Sequence, residues 1–136
     1  MRIKTDRLDR LFSDYIRMRI YGEGRVACEY CGRVYYDKVK ENGDISPAWK
    51  RLQCSHFHSR RKRSVRYDPD NACGLDFTCH QFLGGNPYQH TEFFKKRLGS
   101  KRFEELNIRA EITPAKLDKE KVAADLKERI KLMEGK

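Results

Sequence analysis

Apolar residues near the start of the chain recur at a helical period. Leu8, Leu11, Phe12, Tyr15 and Met18 or Arg19 fall at helical spacing, Thr5 or Asp6 stands ahead of them as a cap, and Arg7, Arg10 and Arg17 take the opposite face. The spacing predicts an N-terminal helix stopped by Gly22 and Gly24. Val34-Tyr35-Tyr36 is a short β-prone run, and 38–47, with Asn42-Gly43-Asp44, reads as a loop or turn. Residues 51–58 read as a strand whose period-two alternation puts Cys54, His56 and His58 on one face. A basic loop, 59–66, and Asp68-Pro69-Asp70-Asn71 form a long return to a second short strand at 74–77. Cys79-His80 then opens a short helix ended by Gly84-Gly85.

Helical signals dominate the rest. Asn86-Pro87 is a cap followed by a first helical position, for a helix carrying Phe93, Phe94 and Leu98 inward. Thr113-Pro114 starts the last helix by the same logic, with an imperfect stripe of Leu117, Val122, Leu126, Ile130 and Met133. The order predicts an α+β fold in one domain: an N-terminal helix (1–24), a central core (25–86), a helical cover (87–112) and a C-terminal helix (113–136). The last helix carries acids and bases about equally, which suits packing or oligomerisation better than contact with DNA.

Composition sharpens this picture in two ways. Charged residues make up 37% against 38% hydrophobic, so the core is small and a metal staple would be useful to it. The net charge of +10 is concentrated at Arg60, Arg61, Lys62, Arg63 and Arg66, which favours a polyanionic partner over a solvated loop only when other features agree. No apolar run approaches the ~18 residues of a membrane span, and 1–10 is charged throughout, without a secretory signal. The chain reads as cytoplasmic, and its five cysteines in a reducing compartment point to a metal rather than to disulfides.

Two metal arguments follow. Cys28-x-x-Cys31-Gly is half of a zinc knuckle, because two thiolates at that spacing on a tight turn can share one tetrahedral ion. Cys79 is the best third ligand, with Asp76 or Cys73 as the fourth and Cys54 as a further alternative. The second argument is catalytic. His56, Asn71 and His80 stand 15 and 9 residues apart on a strand–loop–strand–helix background. One imidazole can take a proton from water near neutral pH, and another can hold a divalent ion against phosphate.

Over Leu52-Gln53-Cys54-Ser55-His56-Phe57, Arg60, Arg66-Tyr67-Asp68, Asn71 and Cys79-His80 the chain resembles the HNH, or His-Me finger, endonucleases, and looks closest to the phage NinG-like recombination nucleases. The resemblance runs over roughly residues 8–106 and is strongest at 52–86. It implies a ββα-metal finger beside a zinc knuckle, flanked by N- and C-terminal helices. It places the general base at His56, a residue that holds the loop and the base at Asn71, and a catalytic-ion ligand at His80. It also places structural zinc at Cys28, Cys31 and Cys79, and implies products ending in 5′-phosphate and 3′-hydroxyl. Two positions depart from the family. Ser55 stands where many members carry an Asp or His metal ligand, so His80 would be helped by His58, His90 or water. Asp76 stands where the family has a cysteine. Magnesium or manganese is the expected ion, with cobalt or nickel also suited to imidazole ligands.

The expectation is therefore an enzyme that cuts DNA, duplex, nicked or branched, with a homodimer attractive if both strands are cut. Two other classes stand beside it. A zinc-stabilised nucleic-acid-binding module without catalysis explains the charge but not the histidine spacing. An assembly or accessory protein would use the terminal helices to dock.

Overall fold

A computed structural model describes residues 3–113 and 116–134. Among these residues the fold is α+β, with five α-helices and three two-stranded antiparallel sheets. None of these helices is long and apolar enough to cross a membrane.

Helix α1 (Arg7–Met18) begins at a reciprocal cap. The Asp6 carboxylate accepts from Asp9 N–H at 2.7 Å, while the Asp9 carboxylate accepts from Asp6 N–H at 2.9 Å, so two otherwise orphaned donors are satisfied. Its most buried apolar positions are Leu8, Phe12 and Ile16; of the expected stripe Leu8 and Phe12 lie in the core, Leu11 and Tyr15 pack at its edge, and Ile16 is added. The helix ends at Met18, ahead of Gly22, and the guanidinium of its C-cap, Arg19, donates to the carbonyls of Pro69 (2.9 Å) and Ala72 (2.7 Å).

Strand β1 (Arg25–Ala27) pairs with β2 (Val34–Tyr36), and the turn between them carries the Cys-x-x-Cys sequence. The segment read as a loop at 38–47 contains a small hairpin, β3 (Lys38–Val39) with β4 (Ile45–Ser46). A 3₁₀ turn, Ala48–Arg51, then leads into β5 (Gln53–His56), which pairs with β6 (Ala72–Leu75) from Gln53↔Leu75 to His56↔Ala72. The expected strand 51–58 is thus only four residues long, and His58 lies beyond it. The second strand begins two residues earlier than expected, and it ends at Leu75 because Asp76 is withdrawn to cap α2 (Phe77–Gly84), its Oδ1 accepting from Cys79 N–H at 2.8 Å.

Helix α3 (Pro87–Leu98) starts at the expected proline, although the Asn86 side chain turns back to the Phe82 carbonyl instead of capping it. Gly99 separates it from α4 (Ser100–Glu111), which divides the expected cover into two helices. Helix α5 (Lys119–Glu134) is capped by Asp118, whose Oδ1 accepts from Lys121 N–H at 3.1 Å. Of the expected start at Thr113-Pro114, Pro114 lies outside the described residues and Thr113 precedes the helix.

The β5–β6 hairpin is covered on both faces. Phe12 and Ile16 of α1 pack with Ala72 and Cys54, and Leu126, Val122 and Ala123 of α5 continue that layer. On the other side Cys73 and Leu75 pack with Cys79, Leu83 and Phe94 of α2 and α3. The packing around Gly74 is tight. A Cβ there would lie 3.0 Å from Ile20 Cδ1 and 3.1 Å from Leu52 Cδ1, and the Gly74 N–H donates to Glu29 at 2.6 Å.

Candidate functional site

The knuckle turn and the start of α2 meet. Sγ of Cys28, Cys31 and Cys79 and a carboxylate oxygen of Asp76 lie within 4.8 Å of one another, a group that could hold a structural metal such as zinc. The local backbone suits that use. Gly32 adopts φ +79° directly after the second cysteine, and its N–H closes the turn on the Cys28 carbonyl at 2.9 Å. Backbone N–H groups of Asp76 and Arg33 point at the sulfurs of Cys28 (3.4 Å) and Cys31 (3.5 Å).

Asp76 divides its two oxygens. Oδ1 caps α2, while Oδ2 accepts from Tyr35 Oη at 3.0 Å and lies 3.4 Å from Cys31 Sγ. Burial raises this carboxyl, but hydrogen bonds from Cys79, Tyr35 and Cys31 outweigh it and hold it below the usual range. Burial, with the neighbouring Cys31, Asp76 and Cys28, pushes the Cys79 thiol up, so a metal bound there would displace its proton. Cys73 and Cys54, the alternative fourth ligands, are elsewhere. Cys73 is fully buried among Leu75 and Leu83, and Cys54 packs against α1.

His80, next to Cys79 in the chain, lines a cleft of about 480 Å³ together with Thr5, Asp9, Ser13, Cys54, His56, Ser59 and Arg60. His56 ends β5 and rests against Phe12, ring centroids 5.6 Å apart. Its Nε2–H donates to the Arg66 carbonyl at 3.2 Å, which leaves the lone pair on Nδ1. Burial lowers the affinity of His56 for a proton, and the Arg60 charge lowers it further. The Arg66 carbonyl and Asp9 raise it, but the net direction is down, so the ring is neutral at pH 7. His80 follows Cys79 in α2, and its Nδ1–H donates to Gln53 Oε1, which leaves Nε2 as the free nitrogen. Burial also holds His80 below the ordinary imidazole value.

Asn71 is completely buried and does not line the cleft. Its Oδ1 accepts from His58 N–H at 2.8 Å, and its Nδ2 donates to the carbonyls of His58 (3.0 Å) and Val65 (3.1 Å). These bonds close the loop between the strands and fix the Arg66 carbonyl on which His56 depends, so Asn71 positions the site without touching it. His58, the tentative ion ligand, faces away, its Nε2 2.8 Å from Asn107 Oδ1 on α4. Ser55 is buried on the strand face opposite His56.

The basic loop is also changed by the fold. Arg66 binds the Asp9 carboxylate through Nε (2.9 Å) and Nη2 (2.5 Å), and Arg60 Nη1 reaches the same group at 3.4 Å. Burial raises the Asp9 carboxyl, but Arg66 and the Asp6 cap outweigh it and bring it down to about 2. Two of the five expected phosphate ligands are therefore committed to holding α1. Arg61, Lys62 and Arg63 are exposed, and Lys62 comes within 3.9 Å of Glu111.

Asp9 and Gln53 are the site residues the sequence reading missed. The Asp6-x-x-Asp9 spacing was the available signal for one. For the other, Gln53 stands one position before the face that carries Cys54 and His56. Comparison of the chain with protein-family models, with characterised proteins and with solved structures finds no match.

Proposed function

We propose that this chain is a metal-dependent endonuclease of the HNH type that hydrolyses phosphodiester bonds in DNA, with His56 as general base. The observation that carries the reading is the pairing of His56 and His80 in one cleft, each with one ring nitrogen satisfied and the other free. The β5–β6–α2 order supports it, because a hairpin followed by a helix packed on it is the arrangement the family resemblance implies.

In this reading Nδ1 of His56 takes a proton from water. The water oxygen bonds to phosphorus, the P–O3′ bond breaks, and the departing O3′ takes a proton from solvent, leaving 5′-phosphate and 3′-hydroxyl ends. The new imidazolium is stabilised by the Arg66 carbonyl and the Asp9 charge. His80 Nε2 is the protein ligand on offer to a divalent ion, Mg²⁺ or Mn²⁺, since Ser55 and His58 are turned away, His90 packs against Phe57 and Phe94 outside the cleft lining, and the remaining ligands would be water and phosphate oxygens. Such an ion would neutralise charge on the phosphate and on the departing oxygen.

A second reading, a zinc-stabilised nucleic-acid-binding module without catalysis, is favoured by one observation. Among the described residues the knuckle is the one group of three or more His, Cys, Asp or Glu ligands that converges, and the histidine cleft holds none. Zinc-loaded full-length protein incubated with supercoiled plasmid and with branched DNA separates the two. Nicking that requires added Mg²⁺ or Mn²⁺ supports the nuclease. Retarded DNA without cleavage under any ion supports the binding module.

A further inference from the structure

Seven arginines of this structure, Arg17, Arg25, Arg60, Arg66, Arg97, Arg102 and Arg109, come within 4.0 Å of a carboxylate. Around the knuckle, cations gather on aromatic rings instead. The guanidinium of Arg33 lies 5.6 Å from the Tyr35 ring centroid and that of Arg51 4.9 Å from the same ring. Nearby, Lys50 lies 5.7 Å and Arg17 5.0 Å from the Trp49 ring. Arg33, Lys50 and Arg51 are exposed, and among the described residues none of the three has a carboxylate partner within 4.0 Å.

Gathering two guanidiniums on one ring has an electrostatic cost that the ring face only partly offsets. Tyr35 is itself fixed, its hydroxyl held by Asp76, so the cations are supported from below and open to solvent above. An anion completes such an arrangement, and several cations on one surface suit a chain of phosphates better than a single ion.

The patch is also continuous with the cleft. Arg17, stacked on Trp49, donates from Nε to the Ser13 carbonyl at 3.2 Å and from Nη1 to the Leu52 carbonyl at 3.3 Å. Ser13 lines the cleft four residues back, about 6 Å along α1. Leu52 directly precedes Gln53, the residue that orients His80. We infer that Arg33, Lys50 and Arg51, mounted on Tyr35 and Trp49, form a second nucleic-acid contact that grips the phosphates of a DNA strand where it leaves the histidine cleft. The inference rests on reading the cleft as a site for nucleic acid, but not on the cleft being catalytic.

The test is a titration of a fluorescein-labelled DNA duplex with full-length, zinc-loaded protein, read by fluorescence anisotropy across a series of KCl concentrations. Each phosphate contact contributes about 0.9 to the slope of log affinity against log salt. The Arg33→Ala/Lys50→Ala/Arg51→Ala variant is expected to bind about tenfold more weakly or worse, with a slope reduced by about 2 to 3. Arg51→Ala alone, which leaves the knuckle's neighbours intact, is expected to lower the slope by about 1, and Arg33→Lys/Arg51→Lys to restore it. Equal affinity and slope for wild type and the Ala variants overturns the inference while leaving the nuclease reading intact. Wild type that fails to bind the duplex overturns both. Binding that depends on these three residues, without cleavage, removes the nuclease reading and leaves this surface standing.

Discussion

Arg66 lays its guanidinium along the Asp9 carboxylate, Nε to Oδ1 at 2.9 Å and Nη2 to Oδ2 at 2.5 Å, while its own carbonyl accepts from His56. A residue of the basic loop therefore does two jobs. It ties the loop to the first turn of α1, and it sets which nitrogen of His56 carries the proton. Since Asp9 also caps that helix and faces Arg60, the stability of α1 and the state of the cleft are linked through one carboxylate.

Replacing Asp9 by Asn tests that link. Asp9 is only 7% exposed, so breaking its pair with Arg66 is expected to cost about 3 kcal/mol at pH 7 by urea denaturation. The folded carboxyl is lowered to about 2 from 3.8, so its contribution is complete above pH 3.8 and is lost as the pH falls through about 2. The difference between wild type and variant should stay constant from pH 7 to about 4 and shrink below that. A difference already fading at pH 5, or absent at pH 7, contradicts this assignment.

Asn71→Ala removes three hydrogen bonds from a fully buried side chain. It strands the His58 N–H and two carbonyls, and is expected to cost about 3 kcal/mol with no change in the denaturant slope. Because Asn71 also closes the loop that presents the Arg66 carbonyl, cleavage should fall in protein that is still folded. A loss below about 1 kcal/mol would mean the loop is held by other contacts.

The knuckle makes a prediction about metal content. The full chain should bind one zinc, and Cys79→Ser should lose it while Cys73→Ser keeps it, measured by elemental analysis of purified protein. Stripping the metal should lower the melting temperature by about 10 °C or more, because a structural site contributes folding energy directly. Equal zinc in both variants would place the site elsewhere.

Much of the local structure was legible in the sequence because it follows from short-range chemistry. The Cys28-x-x-Cys31-Gly turn, the proline start of α3 and the glycine end of α2 each depend on a residue's own backbone preference, and each is found. The fourth knuckle ligand was open among Asp76, Cys73 and Cys54, and only the hairpin register decides it. Pairing Ser55 with Cys73 turns Cys73 into the core and leaves Asp76 at the cap of α2. The basic loop misled for the opposite reason. Charge density shows where cations are, but Asp9 lies far away in the chain, so the pairing of Arg60 and Arg66 becomes visible only once α1 is docked. The period-two reading of 51–58 likewise overran the strand, and His58 was assigned to a face it does not share.

The central claim is that His56 removes a proton from the attacking water. The most direct measurement is cleavage of supercoiled plasmid by wild type and by His56→Ala, both zinc-loaded and both shown to be folded by circular dichroism, with Mg²⁺ or Mn²⁺ supplied. Loss of a general base is expected to slow cleavage by about 10²- to 10⁴-fold while leaving DNA binding in place. A folded His56→Ala protein that cuts at the wild-type rate would contradict the account.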